Sequence, residues 1–216
     1  MSRKIQNTRR TFKVFCEGDT EYHYIDEMRK RRKLSIALRL VNMKGGGYSN
    51  FLDILKTDGN TNCLAKFIII DGDRVIKHSG EKQKLQELID YCILQNRMKK
   101  IPHILIVNCP DFEYIACLHM KDYKDQNVEQ YIKKLGYHKI DEFKSDAKVY
   151  DLLNTKGNSS NLMMNALKAN NCFIKNQYAV NSDLYKISVK TDYDWNKIGL
   201  RGSNFNEYFE ILKYFY

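Results

Sequence analysis

The apolar run Lys66-Phe67-Ile68-Ile69-Ile70, followed at once by Asp71-Gly72-Asp73-Arg74, constrains this chain more than any other stretch. An unbroken apolar run suits a strand buried on both faces, as in a parallel sheet covered by helices. Its abrupt end predicts a turn that carries two acids. Thr11-Phe12-Lys13-Val14-Phe15-Cys16 repeats the pattern and ends in Glu17-Gly18-Asp19-Thr20. There Gly18 permits the turn, and Asp19 or Thr20 is placed to cap a helix running to about Lys33. Ile36 to Val41 and Ile104-Leu105-Ile106-Val107 read as two more strands.

The segments between them read as helices, giving the alternation of a parallel sheet with crossovers. Lys44-Gly45-Gly46-Gly47 makes a bend, and Ser49 or Asn50 starts a short helix through about Leu55. The glycines are not a nucleotide P-loop, because the Gly-Lys-[Ser/Thr] ending is missing. Leu85, Leu88, Ile89, Cys92 and Ile93 fall at helical spacing. Pro110 is placed as the first residue of another helix through about Met120.

After Lys121 the alternation fades. Gln126 to Leu135 and Ser160 to Asn170 read as helices and Leu184 to Val189 as an isolated strand. Asn204-Phe205-Asn206-Glu207 has capping-box spacing before a final helix with Phe205, Tyr208, Phe209 and Leu212 on one stripe. The expected fold is therefore α/β: a mainly parallel, Rossmann-like sheet of four strands flanked by helices, with a mostly helical C-terminal extension. Residues 1–216 read as a single domain, with a core over about 11–120 and the extension over about 121–216.

Composition narrows the function classes. At 216 residues the chain can bury a core without disulfides or structural metal. The six cysteines, at 16, 63, 92, 109, 117 and 172, include no Cys-x-x-Cys pair, so they read as buried hydrophobes rather than a zinc or disulfide framework. No stretch approaches eighteen uninterrupted apolar residues, so no membrane span is expected. Met1-Ser2-Arg3-Lys4-Ile5-Gln6 has no apolar run behind it, so a signal peptide is not expected and a cytoplasmic location is. A formal charge of +10 permits polyanion binding. Part of it is the run Arg29, Lys30, Arg31, Arg32 and Lys33, which reads either as a helix end favoured by the dipole or as a phosphate contact.

Ligands of open α/β sheets bind beyond the carboxyl ends of the strands. Two strands deliver acids there: Glu17 after the first, Asp71 and Asp73 after the third. If these strands are neighbours, three carboxylates converge and repel, and a proton or a cation must relieve them. Oxygen ligands favour Mg²⁺ or Mn²⁺. Such ions grip phosphate oxygens and stabilise a leaving oxygen, most fully as a pair about 4 Å apart. Gly72 keeps side chains out of the approach. Taken alone, Asp-Gly-Asp after a strand is also a common turn or cap.

At these residues the chain resembles the Toprim domain, in which a strand ends in Glu-Gly, a second acid follows four residues later and a later strand ends in Asp-x-Asp. More narrowly, Cys16-Glu17-Gly18-Asp19-Thr20-Glu21-Tyr22-His23-Tyr24 is similar to the opening of the RloB-like family. Asn108-Cys109-Pro110-Asp111-Phe112-Glu113-Tyr114, continuing to His119, is similar to that family's Asn-Pro-x-Phe-Glu-aromatic segment, with Cys109 inserted. Gly202-Ser203-Asn204-Phe205-Asn206 lies where the family has an Asn-Pro-Ser element, here without its proline. The resemblance implies a Toprim-like nuclease of bacterial anti-phage defence, an abortive-infection effector often encoded beside an ATPase.

By that resemblance Glu17 is a metal ligand and proton-transfer group, Asp71 and Asp73 are metal ligands, and Glu21 is a second-site ligand one helical turn on. Without it, Glu21 reads as a first-turn dipole acid. Glu113 falls near the same edge and is a further candidate ligand. His119, about 240° round a helix from Glu113, reads as structural. Arg74 either holds a phosphate or pairs with Asp73. The expectation is an Mg²⁺- or Mn²⁺-dependent phosphodiesterase hydrolysing DNA or RNA. The alternative is a non-catalytic nucleic-acid-binding or adaptor subunit of an ATPase-containing complex.

Overall fold

The computed structural model describes residues 11–59, 62–124, 127–170 and 172–215. The expectations for Met1–Gln6 and for a helix start at Gln126 lie outside the described residues. Four strands, β1 (Thr11–Cys16), β2 (Ala37–Asn42), β3 (Ala65–Asp71) and β4 (His103–Cys109), pair in parallel in the order β2-β1-β3-β4. Successive side chains of a strand point to opposite faces. Phe67 and Ile69 accordingly enter one apolar cluster, Ile68 and Ile70 another. This two-sided burial is what made the third strand conspicuous in the sequence.

Helix α1 (Asp19–Arg32) covers the first face through Tyr24, Ile25 and Met28. Helix α2 (Gly47–Thr57) covers the other, beyond which the short α3 (Asp73–Lys77) precedes α4 (Glu81–Arg97), which packs there through Leu85, Leu88, Ile89 and Cys92. α1 takes the chain outward from β1 to β2, and α2 brings it back past β1 to β3. The sheet thus grows in opposite directions from β1, and the switch point lies between the carboxyl ends of β1 and β3. In sheets of this kind that crevice is where ligands bind.

Helix starts differ from expectation in three places. α2 begins at Gly47, where the backbone leaves a left-handed stretch at Lys44, Gly45, Gly46 and Gly47. Neither Asp19 nor Thr20 caps α1; its N-cap is Gly18, at an extended φ of −133° open to any residue. Pro110 lies outside the next helix, α5 (Phe112–Cys117), because Asp111 is the N-cap and its side chain accepts the Tyr114 N–H at 2.9 Å.

The second half supplies α6 (Val128–Lys134), α7 (Ile140–Ser145), α8 (Val149–Leu152) and α9 (Ser160–Lys168). It is less helical than expected. β5 (Ile174–Asn181) and β6 (Lys186–Tyr193) form an antiparallel hairpin, so the Leu184–Val189 strand signal belongs to a pair. β7 (Gly202–Ser203) then joins β4 antiparallel, making the sheet five-stranded and mixed, and α10 (Phe205–Leu212) follows. Asn204 does not cap α10 with its side chain. Its Oδ1 accepts the Val107 N–H at 3.0 Å, and its Nδ2 donates to the Leu105 carbonyl and to Glu207. Residues after 121 therefore complete the sheet as well as cover it.

The basic run on α1 has a structural task. α1 runs antiparallel to the strands, so its last turn sits at the sheet edge opposite the acids. There Arg29 donates to the Leu38 carbonyl at 2.9 Å, and Arg31 pairs with Asp151. Arg32 donates to Tyr150 and Ser160 and lies over the Phe209 ring at 4.9 Å. The run fastens α1 to the second half of the chain. Among the described residues no helix is long and apolar enough to cross a membrane. None of the six cysteines is in a disulfide, and Cys16, Cys92, Cys109 and Cys117 are buried.

Candidate metal centre at the sheet edge

β1 and β3 are direct neighbours, with Cys16 opposite Ile69. One residue on, the Glu17 N–H donates to the Ile69 carbonyl at 3.1 Å. The Glu17 carboxylate then continues the ladder, its Oε2 accepting the Asp71 N–H at 2.8 Å. Two residues 54 apart in sequence are thus locked together at the switch point. Burial pushes the Glu17 carboxyl up, the Asp71 N–H holds it down, and the neighbouring Asp73 charge raises it again. Asp71 is pushed up by burial and then by Glu21, Glu17, Glu113 and Asp111. The acids form one electrostatic unit with Asp71 at its centre.

Tyr48, at the start of α2, was missed from the sequence. Its hydroxyl donates to the Asp71 carbonyl at 2.7 Å, and its phenol is pushed up by burial and by Glu17, Asp73 and Asp71. A buried tyrosine thus stands within the field of all three predicted acids. An aromatic after a glycine-rich bend was the sole hint of it. Asp73 opens α3 and pairs with Lys77 at 2.7 Å. Arg74 pairs instead with Glu81 at 3.4 Å.

On the other side, Asn108 at the end of β4 donates from Nδ2 to Asp71 Oδ1 at 3.3 Å. Its amide is oriented by Ser203 of β7, whose hydroxyl donates to Asn108 Oδ1 at 2.8 Å and accepts the Phe205 N–H. Partners of this kind behind a ligand set its direction. Gly72 is needed for a different reason than the sequence suggested. A Cβ there would stand 2.8 Å from Cys109 Sγ and 3.3 Å from the Asn108 carbonyl, so the missing side chain admits β4, not a ligand. Gly72→Ala is expected to lose about 1–3 kcal/mol in urea denaturation through overpacking. At Gly18 a Cβ meets only Glu21 Oε2 at 3.4 Å, so Gly18→Ala is expected to stay within about 0.5 kcal/mol.

Glu21 and Glu113 form a second, more enclosed pair, each 3% exposed. Burial and then the Glu113 charge push Glu21 up to about 8, opposed by N–H groups of Glu21 and Gly18. Glu21 is thus the third residue of α1 reaching back to its cap, one half of a capping box. Glu113 accepts from Thr20 Oγ1 at 3.0 Å and pairs with Lys144 at 3.3 Å. Its carboxyl is raised by burial and lowered by Lys144.

His119 lies beyond α5, fully buried, its Nε2 2.7 Å from the Tyr24 hydroxyl. It stands in the core, as the sequence suggested. Burial lowers both His119 and His103 to about 4. The unfolded chain binds protons at both from about pH 6.5 downward, whereas the folded chain does not. Their contribution to stability is complete above that pH and is lost as pH falls through 4. A Tm-versus-pH series is expected to slope down over this window, and His119→Gln to flatten it; equal slopes would reject the assignment.

The donor set is all carboxylate, which suits a hard divalent ion. Among the described residues no three Asp, Glu, His or Cys side chains are arranged to hold a metal ion. Mg²⁺ is commonly bound by one or two carboxylates, with waters and substrate phosphate completing its shell. Glu17 and Asp71, joined and partly open to solvent, fit that mode. Comparison with protein-family models, curated proteins and solved structures finds no match to this chain.

Proposed function

We propose that this protein is an Mg²⁺- or Mn²⁺-dependent nuclease that hydrolyses phosphodiester bonds in DNA or RNA. The carrying observation is the Glu17–Asp71 junction, two mutually repelling carboxylates tied across adjacent strands at the switch point of the sheet. Glu17 and Asp71 would hold the ion, and Asp73, now paired with Lys77, would be the further carboxylate available to it. The bound ion supplies Lewis-acid stabilisation of the phosphate. Glu17 keeps one oxygen on the Asp71 N–H, which leaves the other to accept a proton from water. Tyr48 and Asn108 keep the Asp71 backbone and side chain in register.

The resemblance to the RloB-like family extends this reading to anti-phage defence in the cytoplasm, with an ATPase as partner. The second reading, a nucleic-acid-binding or adaptor subunit without catalysis, is favoured by one observation. Asp73, Glu113 and Asp111 each have an internal partner, in Lys77, Lys144 and the Tyr114 N–H. The discriminating experiment incubates the protein with plasmid, single-stranded DNA and transfer RNA, each with Mg²⁺, Mn²⁺ or EDTA. Cleavage of any substrate that EDTA abolishes is the expected result. Retention of intact nucleic acid with either metal would favour the subunit.

A further inference from the structure

We propose that Lys144 is a built-in counter-ion for the Glu21–Glu113 half of the acid edge, so that the protein takes up one divalent cation and not two. The inference rests on the metal-dependent reading above. Glu113 has both oxygens engaged, Oε1 by the Thr20 hydroxyl at 3.0 Å and Oε2 by the Lys144 ammonium at 3.3 Å. Glu21 is turned toward the start of its own helix, its Oε2 3.4 Å from where a Cβ on Gly18 would stand. Glu113, with both oxygens engaged, presents no free face to a second ion.

The ammonium is delivered by an anchored element. Phe143, the residue before it on α7, is fully buried and packs edge-on to Tyr137 at 5.5 Å. Lys144 therefore projects from a fixed helix, with its side chain 45% exposed and its carboxylate partner 4% exposed. Removing the partner of a buried carboxylate is costly, so this pair resists exchange. The Lys77–Asp73 pair differs, being an i,i+4 pair with a 63% exposed lysine, and gives way readily to a divalent ion. Glu17 and Asp71 form no ion pair with a Lys or Arg among the described residues. The edge is thus divided into one half neutralised from within and one half left for a cation.

The test is calorimetric titration of the full chain with Mn²⁺ at pH 7.5, which reads stoichiometry without reference to cleavage. Wild type is expected to bind one Mn²⁺, Lys144→Arg also one, and Lys144→Gln two. Glu113→Gln, which keeps the Thr20 contact, is also expected to bind one Mn²⁺. Two ions in wild type would overturn the role of Lys144 and leave the Glu17–Asp71 site standing. A single ion in a folded Lys144→Gln would do the same. No binding by wild type would remove the ion site itself.

Discussion

Asp71→Asn and Glu17→Gln are each expected to abolish divalent-metal-dependent cleavage while the fold survives. Partners standing behind a metal ligand typically change affinity or activity about 10–100-fold when removed, so loss of a ligand is expected to exceed about 100-fold. Both substitutions preserve shape and remove one negative charge. Asp71 is pushed up by burial and by four neighbouring carboxylates, so its neutral replacement relieves repulsion instead of creating it. The expected signature is therefore a dead protein with an equal or higher Tm, and with the Mn²⁺-induced rise in Tm lost. Full activity in both variants would reject the metal centre. Loss of activity together with loss of the fold would show that the junction is structural only.

Glu207→Gln has the second large expected effect, and it concerns the joint between hairpin and sheet. Glu207 Oε1 accepts the Asn176 N–H at 3.0 Å, and Oε2 accepts Nδ2 of Asn176 at 2.7 Å and of Asn204 at 3.0 Å. Both amides are held in orientation by other partners. Asn176 donates to the Leu105 carbonyl and accepts from Thr191, while Asn204 donates to Leu105 and accepts from Val107. Whichever way a glutamine amide turns, its NH₂ must face at least one of these donors. Burial pushes the Glu207 carboxyl up to about 7 against the three donors. The expected cost is about 1–3 kcal/mol in urea denaturation, the scale of one unsatisfied buried group. Unchanged stability would show that the network rearranges freely.

The sequence carried the first half of the fold because its signals there are local. The third strand is apolar on both faces, and α4 repeats Leu85, Leu88, Ile89 and Cys92 at helical spacing. The β5–β6 hairpin was obscured because β5 turns Asn176, a polar residue, into the interior, which breaks the alternation a half-buried strand shows. Asn176 is tolerable there only because Glu207 and Leu105, from distant segments, satisfy it. β7 is two residues long, too short for any pattern.

The candidate site was legible to a similar depth. Glu17, Asp71 and Asp73 could be named because each lies at or just beyond a strand end; strand adjacency joins Glu17 to Asp71, whereas Asp73 opens α3 and pairs with Lys77. The structure adds that Glu21 turns toward its own helix start and that Glu113 meets Lys144, the second a relation set by packing of α7 that no spacing encodes. Asn108, Ser203 and Tyr48 act through hydrogen bonds across 37, 95 and 23 residues, and no residue type signals such partners in advance.

The order in which the chain is made gives the Ser203–Asn108–Asp71 relay a temporal meaning. Chains fold from the N-terminus as they leave the ribosome. β1 to β4 have emerged long before residues 202 and 203 can dock on β4 and turn the Asn108 amide toward Asp71. Until β7 docks, the polypeptide therefore carries the acids without the hydroxyl that turns the Asn108 amide toward Asp71.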